Sequence, residues 1–366
     1  MKQLFVIALL FLLACTSTST DKIKIGFVGA LTGDGATYGA DDRAGVLLAL
    51  DDINAQGGIN GKPLEVVFED GKCNGKDAST ALQKLLETDN VKIILGGTCS
   101  SETLAMAPIT ESKKVILFTA IASSPKIVDA GDFVFRNVIN DNLAGKHLAE
   151  LVALKNKRIA IISENTDYAQ GLRGTFTKRA QELGIEIIAD EVFEPGSTDF
   201  RTQLAKIKET SPDAIFIDPQ SDTTSGILLK QVHELSSAQL YLAWFGGSKL
   251  VEQAGVAAEN LIWNDLPQVS ADNTRAQTVL QAHNAKFGTE PSFPVWMLLS
   301  YDRTRLIAEA LKKCGEDTTC TRDFLYSVNF EGVAGKATFD KNGEVEGFSM
   351  QGYVRKNGQV IKYPEE

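Results

Sequence analysis

The chain has 366 residues and a formal net charge of −10, with 43% hydrophobic and 23% charged residues. That composition is globular, and the length exceeds one ordinary core and accommodates two domains. The acidic balance offers no basic face to replace phosphate counterions, which argues against a nucleic-acid partner.

Met1-Lys2-Gln3 supplies a short positive head, and residues 4–14 are unbroken apolar sequence. At 1.5 Å per residue that stretch falls well short of a bilayer core of ~30 Å, and it suits the apolar region of a secretory signal. It ends in Leu12-Leu13-Ala14-Cys15, with Thr16-Ser17-Thr18-Ser19-Thr20 behind it. This resembles a bacterial lipobox. The resemblance implies that residues 1–14 are removed, that Cys15 is lipidated, and that residues 15–20 form a flexible tether. Each buried methylene contributes about 0.8 kcal/mol, so a multi-chain anchor would hold the protein at a membrane surface. The expected location is therefore outside the cytoplasm, in the periplasm or on the outer face of the cell membrane, lipid-anchored.

Of the five cysteines, Cys73, Cys99, Cys314 and Cys320 remain after Cys15. An even number in an oxidising compartment reads as bridges, and three pairings are open. Cys73–Cys99 and Cys314–Cys320 are expected, since each member lies at the end of an element adjacent to its partner. Zinc is the alternative, but neither pair has CxxC spacing and only His147, His233 and His283 are available. No metal site and no cofactor are expected.

Short β-branched runs then alternate with amphipathic segments: strand 23–31, helix 38–55, strand 64–69, helix 78–87, strand 91–95. Val46, Leu50 and Ile53 recur at helical spacing, as do Ala78, Leu82, Leu85 and Leu86, giving each helix one apolar stripe. The strands are nearly continuous hydrophobe, as expected of parallel strands covered on both faces. This is βαβ architecture. The rhythm restarts after Asp141, with strand 158–163, helix 168–183, strand 185–193, a helix near 200–209, strand 214–218, a helix near 225–235 and strand 240–244. Gly184 is a helix stop. Residues 271–328 are mostly helical. The tail, 336–363, carries Asp340-Lys341-Asn342-Gly343 and Lys356-Asn357-Gly358, turn signals that predict antiparallel strands.

Residues 25–33, Tyr38-Gly39, residues 51–59, Asp70-Gly71-Lys72-Cys73, residues 96–101, Phe135-Arg136 and Tyr301-Asp302 together resemble the branched-chain amino-acid ABC transporter substrate-binding proteins. The resemblance runs from Lys22 to the C-terminus. It implies an α/β type I periplasmic binding protein, with two doubly wound lobes joined by three crossovers and closing around a ligand at the hinge. It also implies the Cys73–Cys99 bridge, an ABC permease as partner, and discontinuous lobes: 21–140 plus 267–333, and 141–266 plus 334–366. The function implied is capture of an amino acid or similar small carboxylate. A receptor subunit sensing its ligand through the same fold is the competing reading.

In open α/β sheets ligands sit beyond the carboxyl ends of strands. The strand at 91–97 leads into Thr98-Cys99-Ser100-Ser101, a helix start whose hydroxyl and backbone N–H groups suit a carboxylate. Ser100 matches the family's carboxylate-binding serine, though a helix N-cap role accounts for it equally. Ser123 stands where the family has a ligand-contacting threonine or serine, with Ile121 contributing backbone. Tyr38 and Tyr168 would cover the ligand, one from each lobe. The contact set is thus Tyr38, Thr98, Ser100, Ile121, Ser123, Tyr168 and Asp218. Asp218 enters because of a departure: the family's acid that pairs with the ligand ammonium is missing from Phe245-Gly246-Gly247-Ser248. A buried ammonium without a counter-charge is costly, so either Asp218 has taken that place or the ligand is not an ordinary α-amino acid.

No catalytic residue is expected. Gly33-Asp34-Gly35-Ala36-Thr37-Tyr38-Gly39 has the wrong spacing for a dinucleotide fingerprint, and no P-loop, HExxH or GxSxG sequence occurs.

Overall fold

A computed structural model describes residues 22–244 and 247–364, without the side chains of residues 247–249. The signal segment, Cys15, the tether and Phe245-Gly246 lie outside the described residues. Among the described residues, no helix is long and apolar enough to cross a membrane.

The first lobe is built from β1 (Ile23–Gly29), α1 (Ala36–Ala55), β2 (Leu64–Asp70), α2 (Gly75–Glu87), β3 (Ile93–Gly96), α3 (Ser100–Lys113), β4 (Ile116–Thr119) and β5 (Val134–Arg136). Its five strands are parallel, in the order β2-β1-β3-β4-β5. The apolar runs fill both faces of this sheet: Phe27, Leu95 and Phe118 point into one core, Val28, Ile94 and Leu117 into the other. Period-two alternation inside a continuous hydrophobic run is what burial on both faces requires.

The chain then crosses to α4 (Asp141–Ala153), β6 (Arg158–Glu164), α5 (Asp167–Glu182), β7 (Glu186–Phe193), α6 (Arg201–Thr210), β8 (Ala214–Asp218), α7 (Asp222–Leu235), β9 (Gln239–Leu242), α8 (Gly247–Ala254) and β10 (Ile262–Asp265). It returns through α9 (Thr274–Phe287), α10 (Pro294–Cys314) and α11 (Thr318–Ser327) to the first core, where Ala276, Met297, Ile307 and Leu325 are buried. Helix α10 crosses α1 so closely that a Cβ on Gly45 would stand 2.3 Å from the Met297 carbonyl oxygen. Only glycine permits that approach.

The tail divides. Strands β11 (Phe330–Glu331), β12 (Lys336–Phe339) and β13 (Val345–Glu346) form a small antiparallel sheet, and Ala337 and Phe339 pack into the first core. Strands β14 (Gln351–Lys356) and β15 (Gln359–Tyr363) extend the second sheet, ordered β15-β14-β10-β9-β8-β6-β7. After β13 the chain passes from the first core to the second sheet. The reason is physical: β12 has an apolar face that only the first core covers. Asn357-Gly358 makes the two-residue hairpin between β14 and β15, with Lys356 paired to Gln359. The architecture is α/β, two doubly wound lobes joined by three crossovers.

Both disulfides have the expected partners, Cys73–Cys99 and Cys314–Cys320. The first joins the loop after β2 to the N-cap of α3.

Candidate functional site

The carboxyl ends of the strands of both lobes face one another around a small cavity. From the first lobe, Thr98, Cys99 and Ser100 follow β3, and Ile121, Ala122 and Ser123 follow β4; Tyr38 projects from the first turn of α1. From the second, Tyr168 stands in the first turn of α5, Gln220 follows β8 and Trp244 follows β9. Trp296, in the first turn of α10, closes one side. Tyr38, Thr98, Ser100, Ile121, Ser123 and Tyr168 thus line one cavity. Asp218 does not join the wall. It is fully buried behind Tyr168, whose hydroxyl faces it.

The hydroxyls are not equivalent. Thr98 Oγ1 donates to Asp42 Oδ2 at 3.0 Å, and Ser123 Oγ donates to Asp141 Oδ2 at 3.0 Å. Both have spent their proton away from the cavity and present only lone pairs toward it. Ser100 Oγ accepts from the Ser124 N–H at 3.2 Å, which leaves its proton available. Ser100 is also the first residue of α3, so backbone N–H groups and the positive end of the helix dipole lie beside it. This corner is built to donate.

Buried carboxylates support the wall from behind. Asp42 takes Ser300 Oγ at 2.8 Å and Arg303 Nη2 at 2.7 Å, tying Thr98 to α10. Asp141 takes Trp244 Nε1 at 2.9 Å besides Ser123. Burial pushes the Asp141 carboxyl up to about 6, against the opposing pull of the Trp244 and Ser123 bonds. Asp218 is raised well above the usual carboxylate range, first by burial and then by the charge of Asp141. Tyr38 and Tyr168 are also raised by burial, and then by Asp222 and Asp218 respectively. Glu102 binds the backbone N–H of Cys73 and of Cys99 at 2.9 and 2.8 Å, so one side chain steadies both ends of the bridge. Burial lifts it to about 7.

Three contacts join the lobes at the mouth of the cleft. Lys126 Nζ meets Asp167 Oδ1 at 2.9 Å, Ser124 Oγ donates to the Asp167 carbonyl at 3.0 Å, and the Gln220 side-chain amide lies against the Cys73–Cys99 sulfurs.

Sequence reasoning missed Gln220, Trp244 and Trp296 as wall residues. The first two follow from the strand-end rule applied to β8 and β9. Trp296 carries no local signal, because α10 returns to the cleft from another part of the chain.

A family model described as periplasmic binding protein matches residues 22–359. A protein of Pseudomonas aeruginosa named leucine-, isoleucine-, valine-, threonine-, and alanine-binding protein is 30% identical over 348 residues, covering 93% of this chain and 91% of that one. Among solved structures, a branched-chain amino acid transporter substrate-binding protein of Streptococcus pneumoniae, in complex with isoleucine, is 30% identical with a TM-score of 0.81, covering 93% of this chain and 99% of that one. A leucine-binding protein of Thermotoga maritima is 25% identical with a TM-score of 0.83, covering 93% and 97%. Fold and sequence agree, and the chain belongs to the periplasmic binding protein family, in the company of the branched-chain amino-acid binders.

Proposed function

We propose that the protein is an exported solute-binding protein that captures an amino acid or similar small carboxylate between its lobes and delivers it to an ABC permease. The observation that carries this reading is the donor corner at Ser100, opening into a cavity enclosed by both lobes. The ligand carboxylate sits there, against the Ser100 hydroxyl and the start of α3. Ile121 and Ser123 line the wall beside that corner, where the Ser123 oxygen presents a lone pair to the rest of the polar head. Tyr38 and Tyr168 cover the ligand from the two sides, and Asp218 acts through Tyr168 rather than by contact. The ligands named for the relatives point the same way.

The lobes, 21–140 plus 267–333 and 141–266 plus the tail, move as two bodies that close on the ligand, except that residues 334–346 travel with the first. Cys15 carries the lipid, and the mature protein faces the permease from the membrane surface.

A thermal-shift screen of amino acids, amides and small carboxylates, followed by titration calorimetry, tests the reading. A true ligand at a hundredfold excess over its Kd stabilises by about 2.7 kcal/mol. If no member of the screen raises Tm or releases heat, the reading falls. Mass spectrometry of the mature protein checks the anchor; an unmodified N-terminus beyond Cys15 would exclude it.

A further inference from the structure

Among the described residues, no charged side chain lines the cavity, whereas Tyr38, Tyr168, Trp244 and Trp296 all present rings to it. The Trp244 and Trp296 rings meet edge to face with centroids 5.2 Å apart, and Tyr38 lies 6.0 Å from Trp296. One layer behind stand carboxylates. Asp141 takes the outward hydrogens of Trp244 and Ser123, Asp218 faces the Tyr168 hydroxyl, Asp222 faces that of Tyr38, and Glu164 accepts the Gln220 N–H at 2.6 Å. All of these acids are almost wholly buried, and neither oxygen of Asp218 has a well-formed hydrogen bond. The buried base that acts on Asp141 is Arg136, and it is already bound to Glu344 by two contacts of 2.6 Å. Burial raises Asp141, Asp218 and Glu164, with Arg173 the base acting on Asp218, so a cation in the cavity would favour the charged forms of these carboxyls.

A buried carboxylate without a cation is costly, and a positive guest removes the cost without touching it. A primary ammonium, strongly hydrated and rich in N–H donors, wants charged acceptors in the wall. Here the acids stand behind rings, and the residues at 245–248 supply none. Ring faces attract a weakly hydrated cation that has no hydrogens to place. Resting on the function proposed above, we infer that the cationic end of the guest is held by these aromatic faces over the tier of carboxylates, and that the preferred guest is an N-alkylated, betaine-like amino acid rather than the primary amino acid.

Titration calorimetry at pH 7 on the mature, ligand-stripped protein tests this with L-valine, N,N,N-trimethyl-L-valine and 3-methylbutanoate. The trimethylated compound should bind at least tenfold more tightly than valine, and 3-methylbutanoate, which lacks the cation, should bind most weakly. Valine binding as tightly or more tightly overturns the inference and leaves the solute-binding reading standing. So does equal binding of 3-methylbutanoate, or silence from all three when another solute of the screen binds. Silence from the whole screen overturns both. Trp296→Leu should cost the trimethylated compound at least fivefold more affinity than it costs valine; equal losses count against the ring-face contact.

Discussion

Replacing Asp141 by asparagine isolates the carboxyl on which Ser123 and Trp244 both depend. In the folded protein this group titrates near about 6, whereas its ordinary value is 3.8. Between those two values the folded chain holds a proton that the unfolded chain has released. Stability from this group is therefore fully present below the lower value and is lost as pH rises through the upper one. A gap of roughly two units corresponds to about 3 kcal/mol. Asparagine stays neutral throughout, so the variant is spared that loss. Urea denaturation at pH 4 and at pH 7.5 should show the variant gaining up to about 3 kcal/mol relative to the parent as pH rises. Asp302, raised to about 6, and Glu102, raised to about 7, impose the same downward slope on both proteins and cancel in the difference, whereas Asp218, which the Asp141 charge helps to raise, loses part of its shift in the variant and adds to the gain. A parent-to-variant difference that stays constant across the range would refute the assignment of that proton to Asp141.

Other perturbations have equally definite outcomes. Ser100→Ala removes the donor proposed for the ligand carboxylate; a hydrogen bond to a charged group contributes about 1.5–3 kcal/mol, so calorimetry should show at least a tenfold loss of affinity. Unchanged affinity would take Ser100 out of the contact set. Arg303→Met leaves Asp42 buried without its cation, both side chains being fully inaccessible, and should cost about 3–5 kcal/mol in urea denaturation. A loss below about 1 kcal/mol would mean that water reaches Asp42 in the variant. Gly39→Ala would place a Cβ 1.8 Å from the Ala30 carbonyl oxygen, forcing α1 off β1 at a cost of about 3 kcal/mol or more. A Tm within experimental error of the parent's would contradict that packing.

Much of the fold was legible because local pattern and tertiary role coincide in a parallel sheet. Runs such as 93–96 and 214–217 are apolar on both faces and lie inside their sheets, flanked by strands on either side. The helix spacing at Ala78, Leu82 and Leu85 marks residues that are fully buried. The strand-end rule then located the cleft, since a doubly wound lobe has one end where loops of alternate strands converge. The limits of that reading have physical causes. Strand β12 is four residues long, and its side of the crossing is decided by which core reaches Phe339, a contact distant in sequence. Trp296 reaches the cleft only because the Gly45 contact lets α10 lie close on α1.

The polar chemistry is where counting residue types fell furthest short. Thr98, Ser100 and Ser123 are three hydroxyls that look alike in the sequence, yet their protons point in different directions because Asp42 and Asp141 stand behind two of them. A hydroxyl whose proton is held by a buried carboxylate can only accept, and one that already accepts a backbone N–H is left to donate. The hydroxyls are thereby given different roles by residues outside the wall: Ser100 is left to donate, Thr98 and Ser123 to accept. Asp218 belongs to the same logic. The sequence argument required an acid in contact with an ammonium, because a charge in a dry site needs a partner. On the inference above, a cation held at the rings would favour the charged form of a carboxyl one layer back, since field reaches across a low-dielectric wall where hydrogen bonds do not. On that inference, the missing contact acid and the buried tier are two parts of one arrangement, in which charge would set the sign of the guest and rings its shape.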